Sequence, residues 1–343
     1  MPKRRKFESV KLSFFSSIFM NRICIILCVC CLFSCKENTV TWEEKHKSQE
    51  FGEVVSLDTY PVALSALMDI EDWDTVDTTL ICKNSGKNPY YYVLSSTDFD
   101  VIGKFGRNGK GENEWMSPHL LVKNDTMFSV IDNIRWGIYD VAKKDSSYSI
   151  QKKTDLNVQT PLNAVKPISC SHFAYVTHSP KEVSWKIGAL AGDLSTVDSI
   201  LVYNGESKDN SMLYDFSYDV GADYAVFAFL HLDRLMISSI SDSLRVVPKC
   251  LLLGDGENRT HADVYYTDVI CMEYIYLLSQ REVKTSETSG TSAIEVYDYE
   301  GNPIKKIVLD IIASNMLYDE INKKVILRTP MDNDLHILEY EFR

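Results

Sequence analysis

Hydrophobic positions in this chain fall into three regimes. Residues 23–33 are wholly apolar, residues 36–50 are mostly polar and charged, and from about residue 51 onward short apolar segments alternate with polar turns. The segments come in pairs: 90–94 then 101–105, 127–131 then 136–140, 173–176 then 185–188, 224–229 then 234–237, 274–278 then 294–297, and 325–327 then 337–340. Aromatic and β-branched residues dominate them, and several alternate with period two, which predicts half-buried strands. A 3.6-residue period is hard to find. The nearest candidate is 62–70, where Ala63-Leu64-Ser65-Ala66-Leu67-Met68 would make a helical turn or two.

An all-β chain with turns every 8–12 residues leaves a sandwich, a barrel or a propeller. Repeat spacing separates them. The second segment of each pair begins near residues 101, 136, 185, 234, 294 and 336, at intervals of 35 to 60 residues. Such a recurrence predicts a six-bladed β-propeller of four-stranded antiparallel blades spanning 51–343, with seven blades as the alternative. The longest interval contains a polar insertion, 284–292, read as an exposed loop. A strand near Val54-Val55-Ser56-Leu57 is expected to pair with Glu339-Tyr340-Glu341-Phe342, closing the ring and hiding two open edges.

The apolar run follows Lys3, Arg4, Arg5, Lys6, Lys11 and Arg22 with one acid, Glu8. A basic region, a short apolar region and a small residue before the cut predict a signal peptide over 1–34, with Met20 an alternative start to Met1. The run is too short to span a bilayer. Leu32-Phe33-Ser34-Cys35 resembles the lipobox of bacterial lipoproteins, which makes Cys35 the expected lipidation site and first mature residue. Residues 35–50 then read as a flexible tether, too polar to order themselves.

Charge narrows the partners. The whole chain carries a net charge of −12, and removing 1–34, with six basic residues and one acid, takes it to −17. Such a surface repels phosphate backbones, which excludes nucleic acid, and leaves membrane contact to the lipid. Beyond the anchor stand Cys82, Cys170, Cys250 and Cys271, none in a metal-binding spacing and read as buried small hydrophobes or one disulfide.

Gly103, Gly106, Gly109 and Gly111 lack the order of a phosphate-binding loop and suit turns between strands. No G-x-S-x-G elbow occurs, and the seven histidines show no ligand spacing. Acids cluster at Asp69, Glu71, Asp72, Asp74 and Asp77, at Asp255 and Glu257, and at Asp332 and Asp334. These read as solvated loops, with Ca²⁺ the one cofactor such oxygen donors would take. Trp136 and Trp185 read as core, whereas Trp115, after the glycine-rich loop, reads as a surface residue. Arg107, Lys110, Glu112 and Trp115 are therefore the candidate recognition loop.

Three segments carry a family likeness: D-V-I-G-K-F-G-R-N-G-K-G-E-N-E-W from Asp100 to Trp115, E-V-Y-D-Y-E-G-N-P-I-K-K-I-V-L-D from Glu295 to Asp310, and Y-D-E-I-N-K-K-V-I from Tyr318 to Ile326. With the lipobox, they resemble the TolB-like six-bladed propeller lipoproteins of Gram-negative bacteria. The likeness implies a cell-envelope location, at the outer membrane, and no established reaction. It points to a lipid-anchored binding or scaffolding module for an envelope protein or glycan. The alternative is a propeller enzyme, a lactonase, lyase or glycan hydrolase, with a metal or acid pair in the central channel.

Overall fold

The computed structural model describes residues 42–47, 50–64, 69–85, 88–111, 114–124, 127–144, 147–155, 162, 164–169, 172–179, 182–189, 196–204, 216–221, 223–254, 265–280, 291–330 and 334–343. Cys35, Glu112, Cys170, Asp255, Glu257, Asp332 and the loop 284–290 lie outside them. Every regular element among the described residues is a strand.

The strands form six sheets of four or five strands and one two-stranded ribbon among the described residues. The first sheet holds Ile70–Val76, Thr79–Asn84, Tyr91–Ser95 and Val101–Phe105, hydrogen-bonded in chain order. The second holds Pro118–Asn124, Met127–Asp132, Gly137–Lys144 and Ser147–Asp155, and the third Ala164–Pro167, His172–Ser179, Glu182–Ala189 and Thr196–Asn204. The fourth runs Phe216–Val220, Tyr224–Phe229, Arg234–Ile240, Val246–Leu253, and the fifth Tyr266–Cys271, Ile275–Ser279, Ala293–Tyr297, Pro303–Leu309. The sixth takes Asn315–Asp319, Lys324–Arg328 and Leu335–Leu338 from the C-terminal end, and its last strand, Tyr60–Val62, from the N-terminal end.

These small antiparallel sheets make a β-propeller. The first strands of the sheets lie side by side in chain order, and that of the sixth lies against that of the first. Apolar side chains fill the interfaces of the first sheet with the second, the second with the third, the fourth with the fifth and the fifth with the sixth. The closing interface packs Ile70, Leu80, Cys82, Leu94 and Phe99 of the first sheet side against Ile326 and Leu335 of the sixth. A polar clasp beside it uses the D-E-I-N-K-K turn. Asp319 Oδ1 accepts the Ile321 and Asn322 amides, Lys323 takes a positive φ of 54°, and Lys324 Nζ donates to the Ser96 carbonyl at 2.7 Å.

Closure uses a different N-terminal segment from the one expected. Tyr60, Pro61 and Val62 pair with Ile337, His336 and Leu335. Glu53–Leu57 instead runs parallel to Lys305–Leu309 as a fifth strand on the fifth sheet. Phe342, expected in a strand, stacks on Tyr276 at 3.7 Å and Tyr318 at 5.0 Å, a wedge between the fifth and sixth sheets.

The expected tether is also corrected in part. Glu43–His46 pairs parallel to Cys250–Leu253 as a fifth strand on the fourth sheet. Lys47 then turns inward, its side chain 1% exposed, with Nζ 3.1 Å from Glu295 Oε2 and 3.4 Å from Asp233 Oδ1. The same ammonium lies over the rings of Tyr266, at 4.3 Å, and Tyr297, at 5.0 Å. Tyr266 and Tyr297 also donate their hydroxyls to Glu295 Oε2. Residues 43–47 and 50–62 thus form a strap along the outer edges of the fourth, fifth and sixth sheets in turn.

Candidate functional site

The six first strands converge on the axis of the ring, where side chains pointing away from the inter-sheet cores line a cavity of about 410 Å³. Its wall includes Asp72 and Asp74 from the first sheet, Lys166 from the third, Asp219 from the fourth, Asp268 from the fifth, and Asn315 and Arg328 from the sixth.

Three of these acids stitch one sheet to the next. Asp72 Oδ2 accepts the Leu120 amide of the second sheet at 3.2 Å. Asp219 Oδ2 accepts the Cys271 amide of the fifth sheet at 2.8 Å, and Asp268 Oδ2 the Met316 amide of the sixth at 2.9 Å. Each carboxylate satisfies an inward-facing backbone donor that no ladder partner reaches. At the closing junction, Arg328 donates to the Ile70 carbonyl of the first sheet and to Asn315 Oδ1. Between the third and fourth sheets, Lys166 Nζ lies 3.6 Å from Asp219 Oδ1.

Electrostatics follow from four carboxylates around one ammonium. Desolvation in the channel pushes the Asp74 carboxyl up to about 6, against the pull of Lys166 and of the Thr75 amide that it accepts at 2.8 Å. Desolvation also pushes Asp268 up to about 6, although it accepts the Met316 and Val269 amides. Burial works against the Lys166 ammonium, but Asp219, Asp74 and Asp268 outweigh it and hold it well above the usual lysine range. Lys166 is therefore a fixed positive charge at neutral pH and no proton acceptor. Asp74 and Asp268 are the groups able to exchange protons near neutrality.

A carboxyl raised in the fold destabilises its charged form. Between the unfolded value near 3.8 and the folded value near 6, the native state holds the extra proton, so this contribution to stability falls as pH rises through that window. Asp74→Asn removes the penalty and leaves an oxygen for the Thr75 amide. The expected result is a gain of about 1 kcal/mol at pH 7.5, discounted for the partial exposure of Asp74, and none at pH 4. Thermal melting of both proteins across pH 4–8 checks it; an equal difference at both ends would contradict the assignment.

The sequence-predicted recognition loop is not one surface. Arg107–Asn108 and Glu114–Trp115 form the two-stranded parallel ribbon, and Arg107 and Lys110 are exposed. Trp115, expected at the surface, is 1% exposed between the first and second sheets, its ring centroid 5.9 Å from Tyr91, 6.1 Å from Phe105 and 5.9 Å from Tyr139. The glycine-rich turn serves this burial. Gly106 has a φ of +78°, and a Cβ there would lie 2.5 Å from Trp115 Cζ3. The loop is pinned from within, since Glu114 Oε2 accepts the Gly111 amide at 2.8 Å and Arg135 donates to the Gly111 carbonyl at 2.6 Å. Trp136, expected inside a strand, sits in a turn at a φ of 49°, partly buried against the second and third sheets.

Of the acid clusters, Asp72 and Asp74 reach the channel wall with Glu71 and Asp77, whereas Asp69 accepts the Ser85 hydroxyl at the edge of the first sheet. No group of three or more His, Cys, Asp and Glu among the described residues is arranged to hold a metal ion. Asp219 and Asp268 were missed, each being a lone acid in an apolar segment. Cys82, Cys250 and Cys271 are buried unpaired thiols, pushed up by desolvation.

No family model matches this sequence, and no curated protein matches it. The fold has solved counterparts. A protein of Bacteroides fragilis thought to be exported aligns over 87% of this chain and 98% of its own, with a TM-score of 0.54 at 9% identity. The β-propeller domain of Cps50 (Swd1) from the fungus Myceliophthora thermophila aligns over 81% of this chain and 98% of its own, with a TM-score of 0.51 at 7% identity. At these identities the likeness concerns the fold alone.

Proposed function

We propose that this chain is a six-bladed, lipid-anchored propeller of the cell envelope, akin to the TolB-like propeller lipoproteins, and that it binds its ligand in the central channel. The observation that carries the reading is the charged wall of that channel. Asp72, Asp74, Asp219 and Asp268 outnumber Lys166 and Arg328 in a partly desolvated cavity. The excess of carboxylates selects a ligand bringing positive charge, such as the primary amine of an envelope protein side chain or of an amino sugar. Six sheets with cyclically adjacent first strands support the blade number. The lipobox-like Ser34-Cys35, and a structural neighbour thought to be exported, support the location.

Binding is tested by thermal melting with spermidine and with glucosamine. A ligand held only by the native state raises the melting temperature in proportion to the logarithm of its concentration. The expected rise is smaller at pH 5, where Asp74 and Asp268 take up protons, and about tenfold more ligand is needed in Asp74→Asn. No rise with either probe, or a rise that Asp74→Asn leaves unchanged, would overturn the channel as the site. Metabolic labelling with a palmitate analogue tests the anchor, with label expected on the native protein and absent from Cys35→Ala.

The enzyme alternative draws on the same two carboxyls, raised to about 6 as an acid–base pair would require. Turnover of a lactone or glycoside lost in both Asp74→Asn and Asp268→Asn would favour it over binding alone.

A further inference from the structure

The strap bears on how the disc meets a membrane. Its three strands lie on the outer edges of three consecutive sheets: Glu43–His46 on the fourth, Glu53–Leu57 on the fifth and Tyr60–Val62 on the sixth. They are fixed there by ladder hydrogen bonds, by the Lys47 amide donating to the Leu253 carbonyl at 2.8 Å, and by the buried Lys47 ammonium. The chain therefore enters the disc at its outer rim and not at either mouth of the channel. From Cys35 to Glu43 is eight residues, which span at most about 28 Å when fully extended.

We propose that the disc stands edge-on to the bilayer, with the outer edges of its fourth, fifth and sixth sheets toward the lipid headgroups and both mouths of the channel open to water. The proposal rests on the reading of Cys35 as the acylated residue. The chemistry of this rim agrees with it. The mature chain is strongly acidic, but three glutamates on this rim lie beside lysines, Glu43 with Lys45 at 3.6 Å, Glu53 with Lys305 at 3.2 Å and Glu300 with Lys249 at 2.6 Å, while Glu44, Glu50 and Asp58 are exposed along the same strap. Those lysines lessen the repulsion between this rim and anionic headgroups without cancelling its charge. Between those pairs stand exposed apolar side chains, Val54 and Tyr60 on the strap, 61% and 59% exposed, and Ile304 on the strand beside Val54, 38% exposed. Tyrosine and the apolar stems of lysine suit the headgroup zone. An edge-on disc also explains why a channel site would tolerate so short a lead from anchor to fold, since neither mouth is pressed against lipid.

The test is lipid-borne quenching. Full-length protein bearing Tyr60→Cys or Val197→Cys is expressed with its leader, extracted as the acylated form and labelled at the exposed thiol with a fluorophore. It is then reconstituted in vesicles of phosphatidylethanolamine and phosphatidylglycerol containing a headgroup nitroxide lipid. Val197 is 46% exposed on the outer strand of the third sheet, three sheets round the ring from Tyr60. The expected quenching is at least threefold stronger at position 60. Equal quenching, or stronger quenching at 197, would overturn the edge-on arrangement. A flexible Gly-Ser insertion of about twenty residues after Cys35 is expected to abolish the difference; a difference that survived would show that the short lead from the anchor does not set it, and would overturn that part. Palmitate-analogue label on the same preparation separates the two readings. Unlabelled protein would sink the anchor itself, whereas labelled protein with equal quenching would sink only the orientation.

Discussion

Lys47→Ala is expected to destabilise the fold by about 3–5 kcal/mol, a fall of roughly 10 °C in melting temperature. Lys47 is a positive charge between Asp233 and Glu295, both 2% exposed at their side chains, and two tyrosine rings share its ammonium. Removing it withdraws a buried cation from two carboxylates in a site sealed from water, a far larger effect than losing an exposed ion pair. The sign of the second substitution separates this account from simple lost packing. Lys47→Met combined with Glu295→Gln withdraws charge from both sides, and is expected to melt above Lys47→Ala by several degrees. Because Lys47 also ties down the strap, Lys47→Ala should speed proteolytic cleavage within 42–50 more than elsewhere. Melting curves and limited proteolysis of the three proteins check both points. A Lys47→Ala protein within 1 °C of the native chain would remove the latch from the account.

The second large effect is expected at Trp115. Its truncation to alanine opens a cavity between the first and second sheets and removes edge contacts with Tyr91, Phe105 and Tyr139. The expected loss is about 3–5 kcal/mol. Arg107→Ala and Lys110→Ala, on the exposed arm of the same loop, should change stability by less than about 0.5 kcal/mol. Chemical denaturation of the three variants gives the comparison directly. A Trp115→Ala protein as stable as the native chain would return that residue to the surface role its place after a glycine-rich turn suggests.

That pair of outcomes shows where sequence reasoning stops. Strand type was legible because period-two alternation with aromatic and β-branched residues reports a pleated, half-buried surface without reference to partners. The repeat was legible too, but its phase slipped once. Val101–Phe105 is the outer strand of the first sheet, and the strand equivalent to the other five marks is Tyr91–Ser95. Corrected, the first strands begin at 70, 118, 164, 216, 266 and 315, a period near 49 that the raw spacing of 35 to 60 blurred.

The strap was illegible for a physical reason. Glu43–His46 is an edge strand that stays largely exposed, so its composition matches a solvated linker. What orders it is a ladder to residue 250 and a lysine whose acids lie 186 and 248 residues further along. No local pattern encodes such contacts. Trp115 failed similarly, because Gly106 signals a turn equally well whether the turn faces water or folds over an indole. The channel was half visible. Asp72 and Asp74 stood out in a crowd of acids, but Asp219 and Asp268 are single. A signal did exist: both read Asp-Val inside an apolar strand, and they stand 49 residues apart, the period of the ring.

Closure of that ring by the N-terminal strand is the claim on which the channel, the strap and the disc's orientation depend. Pro61 and His336 lie directly opposite in the antiparallel pair that joins the two ends of the chain. Pro61→Cys with His336→Cys, mildly oxidised and read by mass spectrometry of tryptic peptides, tests it most directly. The account predicts a disulfide linking those two peptides in nearly every molecule, and a higher melting temperature than in the reduced protein. A folded double variant whose two thiols remain unlinked would contradict it.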